Sequence, residues 1–98
     1  MKIEKNQVAN QLVLAISGRL DTATAPQLEA VVANELTGSE AVVIDCKELE
    51  YVSSAGLRVL LATQKVMNRQ GSMLIRNVNE GIMEIFEITG FIDILTIE

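Results

Sequence analysis

Tyr51-Val52-Ser53-Ser54-Ala55-Gly56-Leu57-Arg58 places two adjacent hydroxyls and a glycine between a run that reads as a strand and a run that reads as an amphipathic helix. The first N–H groups of a helix have no intrahelical partner, and together with the macrodipole they favour negative charge at that end. A phosphate on either serine would be stabilised there and presented outward. The same residues also suit a plain helix cap, because Ser is among the preferred N-cap residues. Local chemistry admits both readings.

Working outward, Ala41-Val42-Val43-Ile44-Asp45 is a short β-branched run that suits a central strand covered on both faces. After the serines, Ala55 to Arg69 carries Leu57, Leu60, Leu61, Val66 and Met67 along a helical stripe, with Gly71 as the stop signal. Gly56 is a poor helix former. It fits either the close approach of a partner backbone or an ATP phosphate, or tight packing of the helix start on the sheet. Upstream, Lys2 to Val8 and Gln11 to Gly18 read as a hairpin turning at Ala9-Asn10, and the second strand runs into Arg19-Leu20-Asp21.

Thr22 to Leu36 follows with Leu28, Val31, Val32 and Leu36 near helical spacing, Thr24 as a cap and Pro26 in the first turn. Downstream, Ser72 to Val78 reads as a strand. Asn79 caps a third helix through Thr89, whose Ile82, Ile85, Phe86 and Thr89 share one face, and Gly90 ends it. Ile92 to Ile97 reads as a short edge strand closing the chain.

The expected fold is one α/β domain over residues 1–98, ordered β-β-α-β-α-β-α-β, with a mixed sheet flanked by about three to four helices. Each strand-helix-strand passage makes parallel neighbours, while the opening hairpin is antiparallel. The loops Gly18 to Thr24 and Cys46 to Gly56 then reach the carboxyl edge of the parallel strands, where ligands and partners of open α/β sheets bind. Asp21 and the serine pair are expected to be neighbours.

Composition narrows the function. The chain is 49% hydrophobic and 21% charged, so it has the material for one core. Its net charge of −5 argues against a nucleic acid partner, which calls for clustered Lys and Arg. Its apolar runs fall far short of the roughly 18 residues of a membrane span. The opening Met1-Lys2-Ile3-Glu4-Lys5 is no signal peptide, so a cytoplasmic protein without membrane insertion is expected.

Catalysis finds little support. A serine nucleophile needs a base, and the chain contains no histidine. A pairing with Lys47 or Lys65 has no compelling spacing, and Asp45 reads as a strand-end residue bonding the loop after it. No metal-ligand cluster, GxGxxG or P-loop is present, so neither metal nor cofactor is expected. The lone Cys46 reads as a small buried residue.

Val42-Val43-Ile44-Asp45, then Tyr51-Val52-Ser53-Ser54-Ala55-Gly56-Leu57, preceded by Gly18-Arg19-Leu20-Asp21, resembles the STAS domain of bacterial anti-sigma factor antagonists. The resemblance runs from the opening strands to Gly90 and the closing segment. It implies a non-enzymatic anti-anti-sigma factor whose partners are an anti-sigma factor with serine kinase activity and a PP2C-type phosphatase. In such systems the unphosphorylated form binds the anti-sigma factor and frees a sigma factor. The position matching the acceptor is Ser54.

This sequence departs from the commoner pattern in having Ser53 where an Asp often precedes the acceptor and Ala55 where a second Ser often follows. Ser53 is therefore a rival acceptor. Asp21, Ser53, Ser54, Ala55, Gly56 and Arg58 form the expected partner-binding set, with Arg58 four residues after Ser54 and able to pair with an added phosphate. STAS domains also serve in transporters and sensor complexes. A constitutive accessory subunit with no phosphorylation cycle is the alternative the resemblance admits, and a nucleotide-binding sensor is a third.

Overall fold

The computed structural model describes residues 1–35 and 39–98. Along the chain run β1 (Lys2–Val8), β2 (Gln11–Leu20), α1 (Ala25–Glu35), β3 (Ala41–Val52), α2 (Ser54–Gln70), β4 (Ser72–Arg76) and α3 (Glu80–Thr89), followed by a single 3-10 turn at Phe91–Asp93. The four strands form one sheet in the order β1-β2-β3-β4. The β1–β2 pair is antiparallel, and β2–β3 and β3–β4 are parallel. The mixed α/β sheet and its order agree with the pattern expected from the sequence.

One face of the sheet carries the core. Leu12, Leu14 and Ile16 of β2, Val42 and Ile44 of β3, and Met73 and Ile75 of β4 alternate onto that face. There they meet Leu28 of α1, Leu57, Leu60 and Met67 of α2, and Ile82 and Phe86 of α3 in a single apolar cluster. Val13, Ala15, Val43 and Leu74 point the other way and take no part in it. The expectation that Ala41 to Asp45 is covered on both faces is therefore corrected. Val43 is buried without a helix over it, because its register partners Val13 and Leu74 flank it on both sides.

β3 is much longer than the apolar run that announced it. The register shifts between Ala15 and Ser17 and again between Gly18 and Arg19, so β3 spends an extra residue at each irregularity. Beyond Ile44 the buried positions are Cys46, Leu49 and Val52, with exposed Lys47, Glu48, Glu50 and Tyr51 between them. That spacing of three hides the strand from a search for alternation. Asp45 does bond the backbone two residues on, its Oδ1 accepting from the Lys47 N–H at 3.0 Å, but inside the strand rather than at its end.

Three other boundaries differ. α1 begins at Ala25 rather than Thr22, because Asp21 to Thr24 are held in a tight turn; its expected end at Leu36 lies outside the described residues. β4 stops at Arg76, since Asn77 takes a left-handed φ of 59° while its side chain donates to Asp45 Oδ1 at 3.0 Å. The expected strand over Ile92 to Ile97 shrinks to one parallel bridge between Ile75 and Ile97. Helical hydrogen bonds from the Ile94 and Leu95 N–H groups to the Phe91 carbonyl, at 3.0 and 2.8 Å, curl this segment so that Leu95 reaches the core.

Helix ends follow the expected chemistry. Asn79 caps α3, its Oδ1 accepting from the Ile82 N–H at 2.9 Å, and Gly90 closes it at a left-handed φ of 80°. Among the described residues no helix is long and apolar enough to cross a membrane.

Candidate functional site

β2 and β3 are parallel and end together, with Leu20 paired to Val52. The chain leaves β2 as Asp21 and leaves β3 as Ser53, and the Ser53 N–H donates to the Leu20 carbonyl at 2.9 Å. The anticipated neighbourhood of Asp21 and the serine pair is thus present at the carboxyl edge of the sheet.

Asp21 organises its own loop. Its Oδ1 accepts from the Ala23 and Thr24 N–H groups at 3.0 and 3.1 Å. The Thr24 hydroxyl accepts from the Asp21 N–H at 2.9 Å and shares its proton between the Arg19 carbonyl at 2.7 Å and Asp21 Oδ1 at 3.2 Å. Arg19 Nε lies 3.7 Å from Asp21 Oδ2. Partial desolvation pushes the Asp21 carboxyl up, but the bonds from Thr24 and Ala23 and the Arg19 charge outweigh it and leave the pKa below the usual value.

The serines take distinct roles. Ser53 is the N-cap of α2, with extended backbone (φ −96°, ψ 177°) and a long bond from the Gly56 N–H to its Oγ at 3.5 Å. Ser54 is the first helical residue and is exposed. The cap reading, which the sequence left to either serine, falls on Ser53. Gly56 is buried, and a Cβ there would stand 2.6 Å from Leu20 Cγ and 2.9 Å from both the Leu20 carbonyl oxygen and Val52 Cγ2. These contacts account for the glycine by helix-on-sheet packing.

The anticipated set divides on either side of α2. Ser53 and Ser54 line a groove between α2 and α3 with Tyr51, Leu57, Ile85 and Ile88. Ala55 and the exposed Arg58 line a separate groove against α1 with Thr22, Pro26 and Glu29. Sequence reasoning missed Arg19 and Tyr51: the guanidinium carbon of Arg19 sits 4.4 Å from the Tyr51 ring centroid, as their paired register allows. It also missed Ile88, an isoleucine off the buried stripe of α3 that is 85% exposed. That break in the helical pattern was readable. Cys46 is buried as expected, and burial first, then the Asp45 charge, push its thiol up to about 12.

The profile of STAS domains matches residues 2–98. This chain belongs to the STAS domain family. It is 35% identical over 99 residues to BtrV of Bordetella bronchiseptica, described as an anti-sigma factor antagonist, covering 99% of this chain and 85% of that one. It is 30% identical to the anti-sigma-B factor antagonist of Bacillus subtilis, covering 99% of this chain and 90% of that relative. Among solved structures, the Bacillus cell fate determinant SpoIIAA in its phosphorylated form superposes with a TM-score of 0.76 at 16% identity, over 99% of this chain and 91% of that one. The STAS fold thus places the Ser54 edge on a scaffold shared with named anti-sigma factor antagonists.

Proposed function

We propose that this STAS domain is an anti-sigma factor antagonist acting in the cytoplasm by partner switching. Unphosphorylated, it binds an anti-sigma factor with serine kinase activity; phosphorylation of Ser54 releases it, and a PP2C-type phosphatase restores binding. The observation that carries the reading is Ser54 itself, an exposed hydroxyl at the first position of α2 whose capping duty Ser53 has taken. The names of the relatives support the partner class. A structural neighbour solved in phosphorylated form supports the chemistry.

In the transfer the Ser54 Oγ attacks the γ-phosphorus of ATP, the bond to the β,γ-bridging oxygen breaks, ADP leaves, and the hydroxyl proton passes to a base of the kinase. The chain itself supplies only the acceptor. The product carries nearly two negative charges at pH 7, beside the unpaired N–H groups and the positive dipole end of α2, which stabilise it. The same charges oppose an apolar or acidic partner surface through desolvation and repulsion.

The test is phosphate incorporation from ATP in the presence of the anti-sigma factor kinases of the source organism, with the site located by mass spectrometry. Phosphate on Ser54 supports the reading, and its disappearance in Ser54→Ala completes it. Phosphate that survives Ser54→Ala and vanishes in Ser53→Ala transfers the role to the rival serine. No incorporation by any kinase favours a constitutive subunit of a transport or sensor complex.

A further inference from the structure

The α2–α3 groove beside Ser54 has a composition that the switch reading leaves unexplained. Among the described residues no charged side chain lines it; Tyr51, Leu57, Ile85, Ile88 and Thr89 line it together with the two serines. The core contribution of α3 comes from Ile82 and Phe86, both buried, and Ile88 adds nothing to it at 85% exposure. A single exposed isoleucine is ordinary on a protein surface. This one shares a groove with the phosphate acceptor. Any kinase that brings the ATP γ-phosphate within bonding reach of Ser54 Oγ has to lay its own surface across the mouth of that groove.

We infer that the groove is the apolar anchor of the kinase contact: a hydrophobic side chain of the anti-sigma factor inserts between Leu57, Ile85 and Ile88, and phosphate on Ser54 expels it. This inference rests on the partner-switching reading and names the element on which the switch acts. A groove whose lining is uncharged and mostly apolar can be covered by an apolar side chain without burying an ion, so the unphosphorylated form binds. A phosphate at its rim has to be stripped of water beneath the same side chain, with no cation in the lining to compensate it. The groove then empties.

The experiment measures, by calorimetry and by phosphorylation kinetics, how wild type, Ile88→Lys and Val8→Lys engage the anti-sigma factor kinase selected by the Ser54 phosphorylation assay. Val8 is the matched control, 55% exposed and at the β1–β2 turn, the opposite end of the sheet from Ser54. Ile88→Lys is expected to raise Kd, and KM for this chain as substrate, about tenfold or more, while Val8→Lys matches wild type. Circular dichroism confirms that both variants fold. Wild-type affinity in Ile88→Lys, or an equal loss in Val8→Lys, overturns the inference while leaving the partner-switching reading intact. Failure of every kinase to phosphorylate the wild type overturns both.

Discussion

The Ser53 N–H donates to the Leu20 carbonyl oxygen at 2.9 Å, and the same oxygen lies 2.9 Å from where a Cβ on Gly56 would stand. The end of β2, the end of β3 and the first turn of α2 therefore meet at one peptide group. Asp21 and Ser54 sit on either side of it. Their spacing is set by this backbone hydrogen bond and by the close packing of α2 on Leu20 and Val52.

Gly56→Ala tests that junction. Two of the three clashing atoms belong to side chains, but the Leu20 carbonyl is backbone and already bonded to Ser53, so it has little freedom to retreat. A destabilisation of about 1–3 kcal/mol is expected, the usual cost of overpacking, read from urea denaturation. A change below about 0.5 kcal/mol, the level of a neutral surface substitution, would mean that α2 can lift from the sheet edge without penalty.

Much of this edge was legible in the sequence. Helical stripes, the Asn79 cap, the hairpin turn and the parallel order followed from local chemistry, and the order alone brought Asp21 to the serines. The far half of β3 was not legible, because its two irregularities replace the alternating pattern with Cys46, Leu49 and Val52 at a spacing of three. The closing segment misled for the opposite reason. Its isoleucines resemble a strand, but Ile92 and Ile94 are exposed while Phe91 and Leu95, one helical turn apart, reach the core. Which serine caps α2 depended on a helix boundary one residue wide, finer than propensity can resolve.

The serines should separate in stability measurements. Ser53→Ala removes the cap, and because its bond to the Gly56 N–H is long at 3.5 Å, the loss belongs near the low end of the usual range, about 0.5–1 kcal/mol. Ser54→Ala removes an exposed hydroxyl and should stay within about 0.5 kcal/mol of wild type. Thermal melts of both variants decide the matter. A larger loss in Ser54→Ala than in Ser53→Ala would place the cap one residue later than the structure has it.

Acid should weaken the Asp21 loop. The Asp21 pKa is lower in the folded chain than the ordinary value of about 3.9, so the folded state releases this proton more readily than the unfolded state. The stabilisation is fully present above the ordinary value and is lost as pH falls through the folded-state value. Asp21→Asn should therefore melt below wild type at pH 7, and the gap should close on acidification below the ordinary aspartate range. A gap that persists unchanged in acid would mean that ionisation of Asp21, with the bonds its carboxylate accepts from Thr24 and Ala23, does not set the stability of the loop.

Charge at Ser54 should act on binding and leave folding alone. Ser54→Asp adds a carboxylate at the exposed first position of α2, where the helix dipole favours it, so the isolated domain should be as stable as wild type or a few tenths of a kcal/mol more so. Against the anti-sigma factor kinase the same carboxylate has to be desolvated beside a groove that no charged side chain lines among the described residues, and affinity should fall about tenfold or more. Ser54→Ala, which removes the acceptor without adding charge, should bind as wild type does. Calorimetry with the kinase separates the two variants, because a switch predicts loss in one only. Equal affinities would mean that charge at Ser54 does not control the contact, and would leave the domain a constitutive subunit whose partner ignores that hydroxyl.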